Sequence, residues 1–139
     1  MIRQFKPNDL AHVMSIWLDA NIRAHDFIST NYWHDNYDLV YELLPNATVY
    51  VYEEDEILGF IGLMENYIAG IFVSHNVQST GIGKKLLDYA KSERNELSLQ
   101  VYKKNSRAVN FYLREGFIVN CEQVCHSTGE AELVMRWEK

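Results

Sequence analysis

The chain has 139 residues, of which 47% are hydrophobic and 13% aromatic, so it can bury a core and is not a disordered linker. Its 13 basic and 19 acidic residues give a net charge of −6, which disfavours nucleic acid as a partner because that affinity depends on neutralising phosphates. No apolar run reaches the roughly 18–20 residues that a membrane-spanning helix needs, so we expect no membrane partner.

The amino terminus and the cysteines indicate the cellular compartment. The segment Met1–Asp9 has no apolar stretch behind its positive charges, so we expect no secretory signal and a cytoplasmic protein. Cys121 and Cys125 are then expected to be reduced thiols. Their spacing with His126 does not match a zinc site, so we expect no metal. The length and the lack of a linker predict one domain over residues 1–139.

The first third of the chain predicts one strand and two helices. Residues Ile2–Lys6 alternate weakly and predict the strand, and Asn8 or Asp9 is expected to cap the first helix. The apolar stripe of that helix comprises Leu10, Val13, Met14, Trp17 and Leu18. The second helix begins at Ser29 or Thr30 and is closed by Pro45-Asn46. Its candidate inward residues are Tyr32, Trp33, Leu39, Val40, Leu43 and Leu44.

The rest of the chain alternates between strands and helices. Two β-type runs, Ala47–Glu53 and Ile57–Met64, flank a short polar turn and predict a hairpin. The further elements are a strand at Tyr67–Val73, a helix at Gly81–Arg94, a strand at Leu97–Tyr102, a helix at Ser106–Glu115 ended by Gly116, and a final hairpin of Phe117–Cys125 and Glu130–Trp137. The order β-α-α-β-β-β-α-β-α-β-β predicts an α/β fold in which helices pack on a mixed sheet.

A glycine-containing turn, Gln78–Gly83, joins a predicted strand to a predicted helix. Gly81 and Gly83 let the backbone come close to a ligand, and the free N–H groups of the helix start suit a phosphate. Lys84 and Lys85 add positive charge nearby. The turn is therefore a candidate anion site, although glycines that serve only a tight turn would give the same pattern.

The second informative segment is Asn105–Phe117. Asn105 and Tyr112 are seven residues apart, so on a helix they share a face and lie about 10.5 Å apart along the axis. Both can therefore point into one ligand channel. Asn105 could equally be an ordinary N-cap, and Tyr112 an ordinary half-buried aromatic.

Together these segments resemble the GNAT superfamily of N-acetyltransferases. The resemblance rests on Gln-x-x-Gly-x-Gly at Gln78–Gly83 and Asn-x-x-Ala-x-x-Phe-Tyr-x-x-x-Gly-Phe at Asn105–Phe117, and the element order agrees over the whole chain. Asn31-Tyr32-Trp33, Tyr52-Glu53-Glu54-Asp55 and Val101–Asn105 make the chain similar to the small bacterial acetyltransferases of the YiaC and YjaB kind, some of which act on protein lysines. His75 stands where a proline is often found, and Gln78 where arginine is commoner.

The resemblance implies a GNAT-like, mostly antiparallel sheet of about seven strands and acetyl-CoA as the acetyl donor. It also implies direct attack of a primary amine on the thioester in a ternary complex. Asn105 would contact the pantetheine arm, and Tyr112 would protonate the departing thiolate as a general acid. The implied donor-binding residues are Phe72, Val73, Gln78, Ser79, Thr80, Gly81, Ile82, Gly83, Lys84 and Asn105.

The acceptor amine must be neutral to attack, which for a lysine at pH 7 costs about 4.6 kcal/mol. Glu65 is the first candidate base and His25 the second. A solvated carboxylate at the strand end and a local His25–Asp26 pair are the simpler interpretations. Tyr67 could line the acceptor channel or be a structural aromatic.

The charge pattern bears on the acceptor. Acidic residues on the first two predicted helices favour a protein lysine or another cationic amine, although most such clusters are simply solvated. These residues are Asp19, Asp26, Asp35, Asp38 and Glu42. A catalytically inactive acyl-CoA sensor or interaction module on the same fold stays open as an alternative. Both a monomer and a homodimer fit the sequence.

Overall fold

The computed structural model describes all 139 residues as seven strands and four α-helices in the predicted order. The strands are β1 (Ile2–Gln4), β2 (Thr48–Glu54), β3 (Glu56–Met64), β4 (Tyr67–Val73), β5 (Glu96–Tyr102), β6 (Ile118–Val124) and β7 (Ala131–Glu138). The helices are α1 (Leu10–Ala24), α2 (Thr30–Leu43), α3 (Ile82–Glu93) and α4 (Ser106–Arg114). Short 3-10 turns occupy Pro7–Asp9, Leu44–Asn46 and His75–Val77. The predicted fold class is confirmed.

One sheet holds all seven strands in the spatial order β1-β2-β3-β4-β5-β7-β6. Every neighbouring pair is antiparallel except β4 and β5, which run parallel. Their ladder contains only two residue pairs, Tyr67 with Ser98 and Ile68 with Leu99. Beyond Ile68 the two strands diverge, so the β4 edge that faces β5 has no partner strand there. This divergence opens the middle of the sheet.

Helices cover the sheet on both faces and create two separate cores. The first core packs α3 and α4 on the sheet and includes Leu86, Leu87 and Met135, all fully buried. The second packs α1 and α2 on the other face and includes Val13 and Met14, also fully buried. Alternate residues of the central strands supply both cores, as expected for a sheet covered on two sides.

The prediction for the inward face of α2 is partly wrong. Trp33 is buried, but Leu39 and Leu43 are 54% and 57% exposed. Trp33, Tyr37 and Val40 follow one another at helical spacing and form the stripe that meets the second core, and Tyr37 packs edge-on against Trp17 in α1. Leu39 and Leu43 fall about 100° from that stripe, where no element covers the helix.

Three charged residues connect β1, the turn before α1 and β2. The Arg3 guanidinium donates to both carboxylate oxygens of Asp9, at 2.8 and 3.0 Å, and to Glu53 at 2.9 Å. The Asp9 carboxylate also accepts the backbone N–H of Lys6 at 2.7 Å. Asp9 stands at the N-cap position of α1 but makes no cap bond to it. Its backbone is already helical, so the side chain points back toward Lys6 rather than along α1.

The termini of the two site helices have the chemistry that the sequence predicts. Asn105 caps α4 by accepting the Ala108 N–H at 3.3 Å, and Gly116 follows the helix with φ +94°. Gly81 stands at the start of α3 with φ +90°, a left-handed conformation that other residues rarely adopt. Both helices therefore begin at defined positions beside the opening in the sheet.

Candidate active site

A cleft of about 1000 Å³ lies where β4 and β5 diverge. The end of α1, the end of β4, the loop before α3 and the first turns of α3 and α4 line it. The predicted donor-binding residues that line the cleft are Phe72, Val73, Gln78, Ser79, Gly81, Ile82, Gly83, Lys84 and Asn105. Tyr112 and His25 line it too. Thr80 does not, because its hydroxyl donates to the Val77 carbonyl within the loop.

The start of α3 offers unpaired backbone donors to the cleft. The hydrogen-bond ladder of the helix begins where the Lys85 N–H meets the Gly81 carbonyl at 3.0 Å, and no side chain caps the preceding N–H groups. A Cβ added at Gly83 would lie 3.9–4.0 Å from Phe111, Val73 and Ile71, all of which line the cleft. Free N–H groups, a helix dipole and a missing side chain together form a site for an anionic ligand.

Arg107 is a cleft residue that the sequence analysis did not single out. From the first turn of α4 its guanidinium donates to the Gln78 side-chain oxygen at 2.8 Å and to the Ser79 hydroxyl at 2.7 Å. The Gln78 amide in turn donates to the Val73 carbonyl at 3.2 Å. Arg107 follows two other basic residues, Lys103 and Lys104, in the sequence, but only the packing of α4 beside the loop shows that it reaches the anion site.

The two lysines after the glycine turn point in different directions. Lys84 lines the cleft and pairs with Glu115 at 3.0 Å and Asp88 at 3.2 Å. Hydrogen bonds to these carboxylates raise the pKa of Lys84. Lys85 lies over the Tyr52 ring, 5.5 Å from its centroid, and lines no part of the cleft. Both lysines were expected to add positive charge nearby, and of the two only Lys84 lines the cleft, because one residue turns a helix by about 100°.

Tyr112 reaches the cleft from the buried side of α4. Its ring packs edge-on against Phe111 and Phe117, with centroids 5.2 and 5.4 Å apart. Burial raises the pKa of Tyr112, with a smaller contribution from the nearby Tyr67. Burial likewise raises the pKa of Tyr67. The Tyr112 phenol therefore stays protonated at neutral pH and is able to donate a proton.

His25 meets Asn105 across the cleft wall. The His25 Nε2 lies 3.2 Å from the Asn105 Nδ2, while the Asn105 Oδ1 is occupied by the Ala108 N–H. The amide nitrogen can only donate, so Nε2 accepts and the neutral ring carries its proton on Nδ1. The ring also stacks on Trp33 at 5.2 Å and meets the edge of Tyr102 at 5.1 Å.

This arrangement does not support the predicted role of His25 as a base. Burial lowers the pKa of His25, which keeps the ring neutral. Its buried Nδ1 has no partner at full hydrogen-bond geometry, and the nearby Asn21 backbone partly offsets the lowering of the pKa. Protonation of Nε2 would place two donors against each other at the Asn105 contact. The predicted alternative, a local pair with Asp26, is replaced by the contact with Asn105, which holds that amide in place.

Glu65 lies far from the cleft. It occupies the turn between β3 and β4 with φ +55°, is exposed, and its carbonyl accepts the Arg94 Nε–H at 3.1 Å. Arg94 follows the last residue of α3, whereas the cleft lies at the first turn of that helix. Because α3 has 12 residues, its two ends are about 18 Å apart. The structure therefore does not support the predicted role of Glu65 as a base.

No group of three or more His, Cys, Asp or Glu side chains is arranged to hold a metal ion. None of the helices combines the length and the hydropathy that crossing a bilayer requires.

Comparisons with known proteins identify the relatives of the chain. A family model described as an acetyltransferase (GNAT) domain matches residues 25–139. The chain is 41% identical over 125 residues to peptidyl-lysine N-acetyltransferase YiaC of Escherichia coli (strain K12), which covers 87% of this chain and 86% of the relative. It is 32% identical over 120 residues to peptidyl-lysine N-acetyltransferase YjaB of the same strain, which covers 85% and 82%.

Solved structures share the fold. The solution structure of apo-form YjaB from Escherichia coli has a TM-score of 0.86 and 29% identity, and the match covers 99% of this chain and 96% of that one. The yncA acetyltransferase from Salmonella typhimurium, solved with acetyl-CoA, has a TM-score of 0.68 at 18% identity, with coverage of 99% and 92%.

Proposed function

The chain belongs to the GNAT acetyltransferase family, and we propose that it transfers the acetyl group of acetyl-CoA to the side-chain amine of a lysine in a protein or peptide. Two relatives that match more than four fifths of the chain are named peptidyl-lysine N-acetyltransferases. The observation that carries the proposal is the cleft itself, where an unpaired strand edge, an uncapped helix start and the Tyr112 phenol meet.

The donor side of the cleft fits acetyl-CoA. The edge of β4 at Phe72 and Val73 has no partner strand, so backbone groups that β3 does not bind can pair with the amides of the pantetheine arm as an added strand would. The Val73 carbonyl at this edge accepts the Gln78 amide, which the arm would replace. The N–H groups of residues 79–84 and the start of α3 suit the pyrophosphate. Asn105, held by His25, faces the same cleft.

Tyr112 provides the acid for the departing thiolate of CoA. Because burial disfavours its phenolate form, the phenol remains protonated until the reaction draws a proton from it. The attacking amine must lose its own proton. Glu115 is the only carboxylate that lines the cleft, and Lys84 holds it at 3.0 Å. We infer that the proton of the acceptor ammonium leaves to water rather than to a carboxylate of the cleft.

The test is acetylation of a lysine-containing peptide by purified protein, followed by mass spectrometry. We expect Tyr112→Phe to lower kcat by about 10²–10⁴-fold, the range typical of a general acid, without weakening acetyl-CoA binding. Tyr89→Phe is the matched control, because Tyr89 is a tyrosine of α3 that packs on Tyr50 and does not line the cleft. Binding of acetyl-CoA without transfer to any lysine peptide would support the acyl-CoA sensor instead.

A further inference from the structure

A lysine of the protein itself stands at the margin of the cleft. Lys104 lies in the turn between β5 and α4, directly before Asn105, and lines the same cleft as Tyr112. Of the lysines in the chain, only Lys84 and Lys104 line this cleft. Lys84 is held by two carboxylates, Asp88 and Glu115, beside the anion site, whereas Lys104 pairs with Glu130.

The surroundings of Lys104 recognise an ammonium group. Its Nζ is 2.9 Å from the Glu130 carboxylate and lies over the Phe27 ring, 5.7 Å from the centroid. Phe27 in turn packs edge-on against His25 and Tyr102, each at 5.7 Å. A carboxylate with an aromatic face is a favourable environment for an amine in its charged form. The cleft margin therefore already binds the functional group that the proposed reaction consumes.

The preceding residue offers a natural comparison. Lys103 forms an ion pair with Glu122, also at 2.9 Å, and its side chain is 58% exposed, against 62% for Lys104. The two lysines therefore present nearly equal surface to a chemical reagent. They differ in location, because Lys103 does not line the cleft.

From this placement we propose that the protein acetylates its own Lys104 within one molecule, an inference that rests on the proposed function. The flexible four-carbon side chain lets Nζ leave Glu130 and enter the cleft. The ammonium loses a proton to water, the neutral Nζ bonds to the acyl carbon, and the carbon–sulfur bond breaks. The sulfur takes a proton from the Tyr112 hydroxyl. The attacking nitrogen releases a second proton to solvent, and Tyr112 takes a proton back from solvent. The net products are acetyl-lysine, CoA thiol and one proton.

Acetylation of Lys104 changes the cleft margin. The neutral amide forms neither the ion pair with Glu130 nor the cation–π contact with Phe27. The carboxylate and the ring become free to bind the ammonium of an incoming lysine. Self-acetylation therefore converts an occupied acceptor position into an open one.

The experiment incubates the full chain with acetyl-CoA and follows acetylation of each lysine by peptide mapping after cleavage at glutamate. We expect Lys104 to be acetylated at least about tenfold faster than Lys103, at a rate per molecule that does not change with protein concentration. Tyr112→Phe should lower the Lys104 rate to that of Lys103. In Lys104→Arg, which keeps the positive charge, we expect no lysine of the chain to be acetylated faster than Lys103.

A lysine peptide in the same reaction separates the two proposals. If the peptide is acetylated while Lys104 reacts no faster than Lys103, self-acetylation is wrong and the proposed function stands. If Tyr112→Phe leaves the Lys104 rate unchanged, the modification is chemical and self-acetylation is again wrong. A rate per molecule that rises with protein concentration overturns the intramolecular form. If the wild-type protein binds acetyl-CoA but acetylates neither the peptide nor Lys104, the proposed function is wrong as well.

Discussion

Gly83 is a position where we expect the missing side chain to serve binding rather than folding. A Cβ at this position would make ordinary contacts with three cleft residues and no clash, in a helix that favours alanine over glycine by up to about 1 kcal/mol. We therefore expect Gly83→Ala to keep or raise the free energy of unfolding while it weakens acetyl-CoA binding about tenfold or more. Calorimetric titration and urea unfolding of the same variant measure the two effects.

Gly81→Ala is the contrasting variant for this prediction. No heavy atom lies within 4 Å of a Cβ added there, but the residue has φ +90°. We expect this variant to lower the free energy of unfolding by about 1 kcal/mol, because a left-handed backbone disfavours any side chain. Unweakened binding of acetyl-CoA in Gly83→Ala would contradict the placement of the ligand backbone against this turn.

His25 predicts a pH dependence of stability. Burial lowers its pKa in the folded protein, so the unfolded chain, with a pKa near ~6.5, binds the proton first as the pH falls. The contribution of His25 to stability is therefore complete above that value and is lost below it, by at most about 1.4 kcal/mol per pH unit. Urea unfolding at several pH values should show a shallower loss below pH ~6.5 for His25→Gln, whose amide still accepts from Asn105. Equal slopes for both proteins would contradict the prediction.

At the scale of the elements, the ion pairs of Arg3 join β1 to β2 and to the turn before α1 at the edge of the sheet. Arg3→Ala leaves the largely buried Asp9 carboxylate without its main partner and removes the ion pair between β1 and Glu53 in β2, while the backbone ladder of the two strands stays. We expect a loss of about 2–4 kcal/mol in the free energy of unfolding. Arg136→Ala is the control, because its pairs with Glu96 and Glu138 are exposed and should contribute less than about 1 kcal/mol.

The same charged cluster predicts the acid sensitivity of this edge. The Arg3 guanidinium holds the pKa of Asp9 below its ordinary value. A carboxylate with a lowered folded pKa stabilises the protein above its unfolded pKa of about 3.9 and loses that contribution as the pH falls further. The difference in stability between the wild-type chain and Arg3→Ala should therefore shrink in acid. A difference that stays constant down to pH ~3 would show that the cost of Arg3→Ala is packing alone.

Elements were more predictable than their contacts. Local signals, such as the apolar spacing of α1 and the glycine after α4, predicted both elements correctly. Leu39 and Leu43 show the limit, because a helix with apolar residues on two sides does not reveal which side the rest of the fold covers. Asp9 shows the same limit for capping, since its partner Arg3 lies in another element.

The site was predictable where one segment encodes it and not where distant segments meet. The turn before α3 and the Asn105–Tyr112 spacing are local, and the structure brings both to one cleft. The contact between His25 and Asn105 joins residues 80 positions apart, and no local sequence pattern predicts it. Glu65 follows β3 in the sequence, but that end of β3 lies beside the last turn of α3, whereas the cleft lies at the first turn of that helix.

At the scale of the whole molecule, charge separates the two sides of the proposed reaction. The donor cleft is lined by cations, including Lys84, Arg107 and Arg114, with Glu115 as its only carboxylate. The acidic residues predicted on α1 and α2, together with Asp26 between them, are all exposed. Among them only Asp19 has an ion-pair partner, Arg23, at 3.0 Å. An anionic donor and a cationic acceptor would thus be attracted to different parts of one acidic protein.

This separation predicts that added salt weakens the binding of the acceptor peptide and leaves the rate of the bound reaction nearly unchanged. The exposed carboxylates are screened over a Debye length of about 10 Å at 0.1 M salt, so attraction of a cationic peptide should fall steeply as salt is added. We expect the peptide KM to rise about three- to tenfold between low and physiological ionic strength, with kcat nearly constant. A double variant, Asp35→Asn with Asp38→Asn, should raise KM at low salt and flatten its salt dependence, because both carboxylates are exposed and lie outside the cleft. A KM that is independent of salt in the wild-type chain would show that these carboxylates are only a solvated surface and that the acceptor is selected inside the cleft.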